Sequence, residues 1–356
     1  MGLLLVIGGA VASRLGSAGD LEIRERLSAP WLAMAVLAYL AGNFLAGPRF
    51  LVLLTHRPRR PLGGATVGSL LLAVSVLNLS FPGPAGELAA VIVLQRRYGI
   101  PAGAGLATAL SSRFVGLFTS ALIVGATLPF LSLTEGMAPL LVTVALVLGS
   151  AGLAIALLAL RPTWIAAVSD ATAGAVSRRW SGRIGRSMGQ LHELMVQFAD
   201  HMSQMTRIPP HRWLLAVAWS LALQAVLFGC TMSTAWAVGT HPEHLGAFFT
   251  QNLSALASLA MVVLPGGFGA FDLTFAGSLA ASADLDAAQA GLVLVNMRLV
   301  HVLGLACCGL LFLSWARQLL AEEVLQTVHQ GHISDDDGTA SALEDTGKEP
   351  ILGPNS

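Results

Sequence analysis

The sequence predicts an all-α polytopic membrane protein built as an inverted structural repeat. About six full spans and two re-entrant or broken-helix hairpins are expected, giving about eight long apolar segments. Three observations carry this prediction. The first is composition: 54% of residues are apolar, 11% are charged, and the mean hydropathy is +0.71. Soluble domains usually carry about 25% charged residues, so this chain lacks the polar surface of a water-soluble fold. The second is a set of apolar runs longer than the roughly 18 residues that mark a membrane span, without the two-residue alternation of a β-barrel. The third is a pair of Pro-Gly breaks inside apolar stretches, each followed by an acid.

The apolar segments, in order, are 2–15, 31–54, 62–81, 87–95, 102–131, 138–160, 212–238, 245–264, 273–281 and 287–316. The first, in "MGLLLVIGGAVASRLG", lacks the positive n-region of a signal peptide and reads as a short span. It carries Val6 where a myristoylation signal has Ser or Thr. Segments 87–95 and 273–281 are too short to cross at about 1.5 Å per residue. Each follows a longer apolar arm and a Pro-Gly break, so each reads as the return arm of a hairpin. Cys230, Cys307 and Cys308 all fall in apolar segments, an odd set that reads as packing residues rather than a disulfide framework.

Arginine sets the expected topology. Arg49, Arg57, Arg59 and Arg60 read as one cluster after the second segment, Arg96 and Arg97 follow the first short helix, and seven arginines crowd 161–212. Short Arg-rich loops stay cytoplasmic, so 62–95 enters and leaves on one side, with its tip at Pro82, Gly83 and Pro84. Continuing the alternation brings 245–281 in from the opposite side. Both chain ends are then expected in the cytoplasm. Residues 1–320 form the membrane domain, with repeat halves at about 31–131 and 212–316. A cytoplasmic linker, 161–211, carries Leu191, Leu194, Met195, Phe198, Met202 and Met205 at helical spacing, as an amphipathic helix on the membrane surface would. The polar tail, 321–356, is expected to be disordered.

The two breaks are "LSFPGPAGELAAVIV", 79–93, and "VLPGGFGAFDLTFAG", 263–277. Pro82, Gly83 and Gly86 shape the first tip; Pro265, Gly266, Gly267 and Gly269 shape the second. Proline removes a backbone donor and glycine admits conformations closed to other residues, so both tips are bent and polar. Such backbone survives at membrane depth only against protein or water. Glu87 precedes Arg113 by the same 26 residues that separate Asp272 from Arg298 (113 − 87 = 298 − 272 = 26). Each arginine sits inside a long apolar span. An arginine at the centre of a membrane helix costs about 2.5–3.5 kcal/mol on insertion scales, so both need partners. Glu87 and Asp272 are those partners, within a repeat or across repeats. One reading makes the pairs structural pins between helices; the other makes them bind or gate a polar headgroup. Asn78, Ser111, Ser112, Gln251, Asn252 and Asn296 lie near these elements, as cavity lining or as helix–helix hydrogen bonds.

"NLSFPGPAGE", "RRYGI", "SSRFVGLF" and "LPGGFGAFD" resemble the lysylphosphatidylglycerol synthase transmembrane-region family, also called the flippase-like domain, over roughly 1–320. In that family the second motif usually ends in Glu, where Asp272 stands here. The resemblance implies a many-helix domain of the plasma membrane. In the best-known members it translocates an aminoacylated phospholipid between leaflets, beside a soluble aminoacyl-transferase domain. Only a short polar tail follows Arg317, so synthase activity is not expected. Other members act with lipid-linked sugars or hopanoids.

Other chemistry is set aside. "GGFGAF" lacks the Lys-Ser/Thr and the strand–turn–helix frame of a nucleotide loop, so ATP drive is not expected. His241 and His244 lack a third ligand, so no metal or other cofactor is expected. His301, three residues after Arg298, reads as a packed histidine or a proton-sensitive neighbour. The basic residues are nearly all arginine, Lys348 being the only lysine, and no basic patch interleaved with aromatics points to nucleic acid. Three functions compete. The first is a lipid or lipid-linked headgroup translocase, whose partners are membrane lipids. The second is a membrane enzyme using Glu87 or Asp272 as acid or base. The third is a non-catalytic partner of a lipid or glycolipid biosynthetic enzyme. Two matched halves favour the first, because alternating access uses that symmetry.

Overall fold

The computed structural model describes residues 27–80, 85–131, 143, 146, 150, 196–198, 200–205, 207–258 and 270–344, with side chains as far as Arg317 apart from 78–80. The described residues are helical, with no strand among them. The helices are α1 (Ala29–Phe44), α2 (Ala46–Leu53), α3 (Gly64–Ser80), α4 (Ala85–Tyr98) and α5 (Ala102–Thr127, continued by a 3-10 turn, Leu128–Phe130). After the linker come α6 (Pro210–Ala237), α7 (His244–Ala257), α8 (Ala270–Ser282) and α9 (Ala287–Glu344).

Four stretches are long and apolar enough to cross a membrane: Ala29–Leu53, Ala102–Phe130, Pro210–Ala237 and Ala287–Arg317. The other two expected spans, 2–15 and 138–160, lie outside the described residues apart from three helical positions, 143, 146 and 150. Leu214, Leu273 and Leu310 are at least 70% exposed, as lipid-facing side chains are. The described parts of α4 and α8 cover 14 and 13 residues.

Local sequence explains the element ends. The first span bends at Leu45 because Pro48, in the next turn, has no N–H to give to Phe44 O. The bend lays α2 on α3 at glycines: a Cβ on Gly47 would meet Gly68 N at 2.2 Å. Small residues permit such backbone contact between membrane helices. α6 starts on Pro210, and the start of α7 is capped by Glu243, which accepts from Gly246 N at 2.6 Å. Asp286 and Gln289 cap α9 reciprocally, each side chain accepting from the other's backbone N–H.

Backbone hydrogen bonds close each helix pair at its mouth. Arg59 N donates to Tyr98 O, which joins the two open ends of α3 and α4. Arg212 reaches Leu54 O, and Arg97 lies over the Trp315 ring at 5.3 Å, so the start of α6 and the Trp315 turn of α9 share that end of the bundle. At the other end, Ser28 N donates to Ala237 O and Glu243 N donates to Ala283 O, joining the open ends of α7 and α8. Single cysteines at positions 59 and 97, in a chain without Cys230, Cys307 and Cys308, should therefore react with an impermeant thiol reagent from one face only. Labelling from opposite faces would make α3 and α4 two crossings and remove the first hairpin.

Three sequence expectations need correction. Arg49 is not a loop charge: it lies on α2 and is buried, at 8% exposure. The apolar face of the linker helix packs on protein, since Phe198, Met202 and Met205 form a buried cluster with Leu53, Ala107, Val115 and Ala216; Leu191, Leu194 and Met195 lie outside the described residues. The last helix runs on to Glu344, well into the polar tail; Leu319, Leu320, Ala321, Glu322 and Glu323 favour its continuation beyond Arg317, whereas Gly331, Asp335, Asp336, Asp337 and Gly338 do not explain the last turns. Residues 345–356 lie outside the described set.

Candidate functional site

Each acid opens a short helix and each arginine lies well inside the following span. Glu87 is in the first turn of α4 and Asp272 in the first turn of α8. Arg113 and Arg298 each lie about 16 Å along their helices at 1.5 Å per residue. The structure pairs each acid with the arginine of the next helix. Arg113 Nη2 contacts Glu87 Oε1. Arg298 Nε donates to Asp272 Oδ1 at 2.7 Å, and its Nη2 approaches the same oxygen. The shorter acid at Asp272 still reaches its arginine.

The surroundings of the two pairs differ. Arg298 stacks over Phe271 at 5.0 Å, and Phe271 meets His301, which packs edge-on to Tyr39. His301 is thus a packed histidine in an aromatic cluster. The first pair instead lines a cavity of about 460 Å³, within the 300–1,000 Å³ range of ligand sites. α2, α3, α4, α5, α6 and α7 all contribute to its wall. Glu87, five residues after Pro82, and Ser258, seven residues before Pro265, line it together.

Arg49 completes the cavity. Its Nε donates to Ser112 Oγ at 2.8 Å and its Nη1 to Ser220 Oγ at 3.2 Å. Gly116 makes room for it, since a Cβ there would meet Arg49 Nη1 at 2.7 Å. Gln224 donates to Ser120 Oγ at 2.7 Å, and its buried Oε1 has no hydrogen-bond partner. Among the described residues, the charged lining is two guanidiniums and one carboxylate.

Sequence reading missed Arg49, Gln224 and Ser220. A signal for the first was available: Arg49 is followed by "FLVLL", so it stands inside the apolar segment rather than after it. Of the predicted lining, Ser112 is in the cavity wall. Asn252 and Asn296 are elsewhere: Asn252 Nδ2 donates to Phe248 O on its own helix, and Asn296 Nδ2 donates to Thr234 O across to α6. Gln251 accepts from Thr231, and Ser111 faces the sulfur of Met205. The side chain of Asn78 and the tip residues Pro82, Gly83, Pro265, Gly266, Gly267 and Gly269 lie outside the described set, while Gly86 is buried in the first turn of α4.

A second, more open depression of about 740 Å³ is lined by Trp31, Trp236, His241, Glu243 and His244. Its Glu243 Oε2 accepts from Gly246 N at the start of α7. Among the described residues no three His, Cys, Asp or Glu side chains form a metal-binding group.

A family model described as lysylphosphatidylglycerol synthase TM region matches residues 2–318. No curated protein and no solved structure matches the chain.

Proposed function

The chain belongs to the lysylphosphatidylglycerol synthase transmembrane-region family, and from that premise we propose that it is a translocase. It carries a lipid or lipid-linked headgroup across the plasma membrane without ATP and without altering the headgroup chemically. Both termini lie in the cytoplasm in this reading. The observation that carries it is the cavity in which Glu87, Arg113 and Arg49 meet residues flanking both helix breaks. A headgroup seated there contacts charge while its acyl or prenyl tails stay in lipid.

The helix boundaries support an inverted repeat as the frame. α5 and α9 begin 185 residues apart (287 − 102 = 185). Glu87 and Asp272, and Arg113 and Arg298, share that offset. The mouth bonds lie at opposite ends of the bundle: Arg59 to Tyr98 for the first pair, Glu243 to Ala283 for the second. Paired broken helices entering from opposite faces are a recurring transporter architecture, in which one half rocks against the other around a shared site.

The test is headgroup accessibility in proteoliposomes containing labelled phospholipids, polyprenyl-linked sugars or hopanoid lipids. Wild type should expose inner-leaflet label faster than protein-free vesicles. Glu87→Gln should lose most of that rate, because it releases Arg113 beside the cavity; Asp272→Asn should slow it by loosening the second pair. If wild type matches protein-free vesicles for all three lipid classes, the translocase reading gives way to that of a non-catalytic partner of a lipid or glycolipid synthase.

A further inference from the structure

The cavity carries a charge imbalance that the paired acids do not remove. Glu87 is engaged with Arg113. Arg49, equally part of the lining, is buried at 8% exposure and its side-chain hydrogen bonds go to the neutral hydroxyls of Ser112 and Ser220. Hydroxyls orient a guanidinium but do not neutralise it. A buried cation is costly unless something of opposite charge meets it. Gln224, which donates to Ser120 Oγ, lines the same cavity and adds a neutral amide to its wall.

The matching place in the second half lacks this charge. Arg49 contacts Ser112 across 63 residues. At the offset of 185 the corresponding pair is Thr234 and Met297, also 63 residues apart, with Thr234 Oγ1 4.0 Å from Met297 Sδ. The same helix–helix contact therefore recurs with a neutral hydroxyl where the first half has a guanidinium.

We propose that the first-half cavity binds a phosphate group, gripped by Arg49 and Arg113, and that it selects a net anionic headgroup over zwitterionic or aminoacylated cationic ones. The proposal rests on the translocase reading for its biological setting, but it concerns binding and can fail separately. Guanidinium is suited to phosphate because its planar fork gives two parallel hydrogen bonds. A cationic headgroup would meet two arginines against one carboxylate and be repelled.

The test is equilibrium binding to the full chain in detergent micelles, followed by native mass spectrometry and calorimetry, which needs no transport. The probes are short-chain phosphatidic acid, phosphatidylglycerol, phosphatidylcholine and lysyl-phosphatidylglycerol, with inorganic phosphate and glycerol phosphate as soluble arms. The two anionic lipids should bind at least about 10-fold tighter than the other two. Arg49→Met should weaken them by roughly 10–100-fold, the range expected when a charge-assisted hydrogen bond is lost. Arg49→Lys should restore part of the affinity, and Thr234→Val should change nothing. Equal binding of all four lipids, or unchanged binding by Arg49→Met, overturns the proposal. If Arg49→Met does not fold, wild-type selectivity and Arg49→Lys decide it. Soluble phosphates binding as tightly as the anionic lipids would keep the phosphate site and make free phosphate its source; a strong lipid preference assigns the headgroup.

Discussion

Arg298→Met should destabilise the protein by about 3–5 kcal/mol at most, and adding Asp272→Leu should return most of the loss. Removing one member of a buried pair strands the other, whereas replacing both with apolar side chains of similar volume is often neutral or stabilising. The two side chains are 22% and 26% exposed, so the single-mutant loss falls toward the lower end of that range. The Phe271 ring beside Arg298 accepts the methionine stem as readily as the guanidinium, which favours recovery in the double variant. The same cycle at Glu87 and Arg113 should give smaller stability changes, because Arg113 is 40% uncovered by protein. Function separates the two readings of the pairs. If they only pin helices together, each stable double variant should translocate lipid like wild type. If they bind or gate a headgroup, the stable double variants should fall to the protein-free rate. Denaturation in micelles and leaflet accessibility on the same preparations check both halves. Stable, fully active double variants at both sites would remove these four residues from the function.

What the sequence could and could not reveal follows from the range of the forces involved. The 26-residue spacing was legible because an acid opening one helix and an arginine inside the next are both costly in an apolar setting. The pairing within each half then needed only the geometry of two consecutive helices, as Arg298 and Asp272 show. Arg49 was not legible by its charge alone. A rule that assigns arginines near helix ends to loops has no access to Ser112 and Ser220, whose hydroxyls stand 63 and 171 residues away. The face of the linker helix was legible from its period, but period does not say whether lipid or protein covers it. Leu53 and Val115 cover Met202 and Met205. Asn252 and Asn296 show the limit of reading a polar side chain in a span as lining: their donors are spent on Phe248 O and Thr234 O. The last helix shows the reverse. A polar composition argued against structure beyond 320, yet the described backbone stays helical to Glu344.

With an imposed membrane potential of 100 mV, wild-type proteoliposomes should distribute a headgroup of net charge −1 between leaflets at a ratio near 50 to 1. The transmembrane potential is worth about 2.3 kcal/mol per elementary charge per 100 mV, and about 1.4 kcal/mol is a factor of ten. The expectation follows from the lining: among the described residues Arg49 and Arg113 face one carboxylate, Glu87, so a bound anion crosses with its charge and not as a neutralised group. A potassium gradient with valinomycin sets the potential, and phosphatidylglycerol labelled on its acyl chain reports the distribution by headgroup accessibility. Reversing the gradient should invert the ratio. Phosphatidylcholine, if it moves at all, should settle near unity at either polarity. Arg49→Lys keeps the charge and should keep the end ratio while slowing the approach to it, because a potential sets the equilibrium and the site sets only the rate. A translocated anion that settles at unity under a sustained potential would mean that its charge is cancelled in transit by a proton or a counterion. The cavity would then have to bind a neutral pair, and two arginines against one acid would be the wrong lining for it.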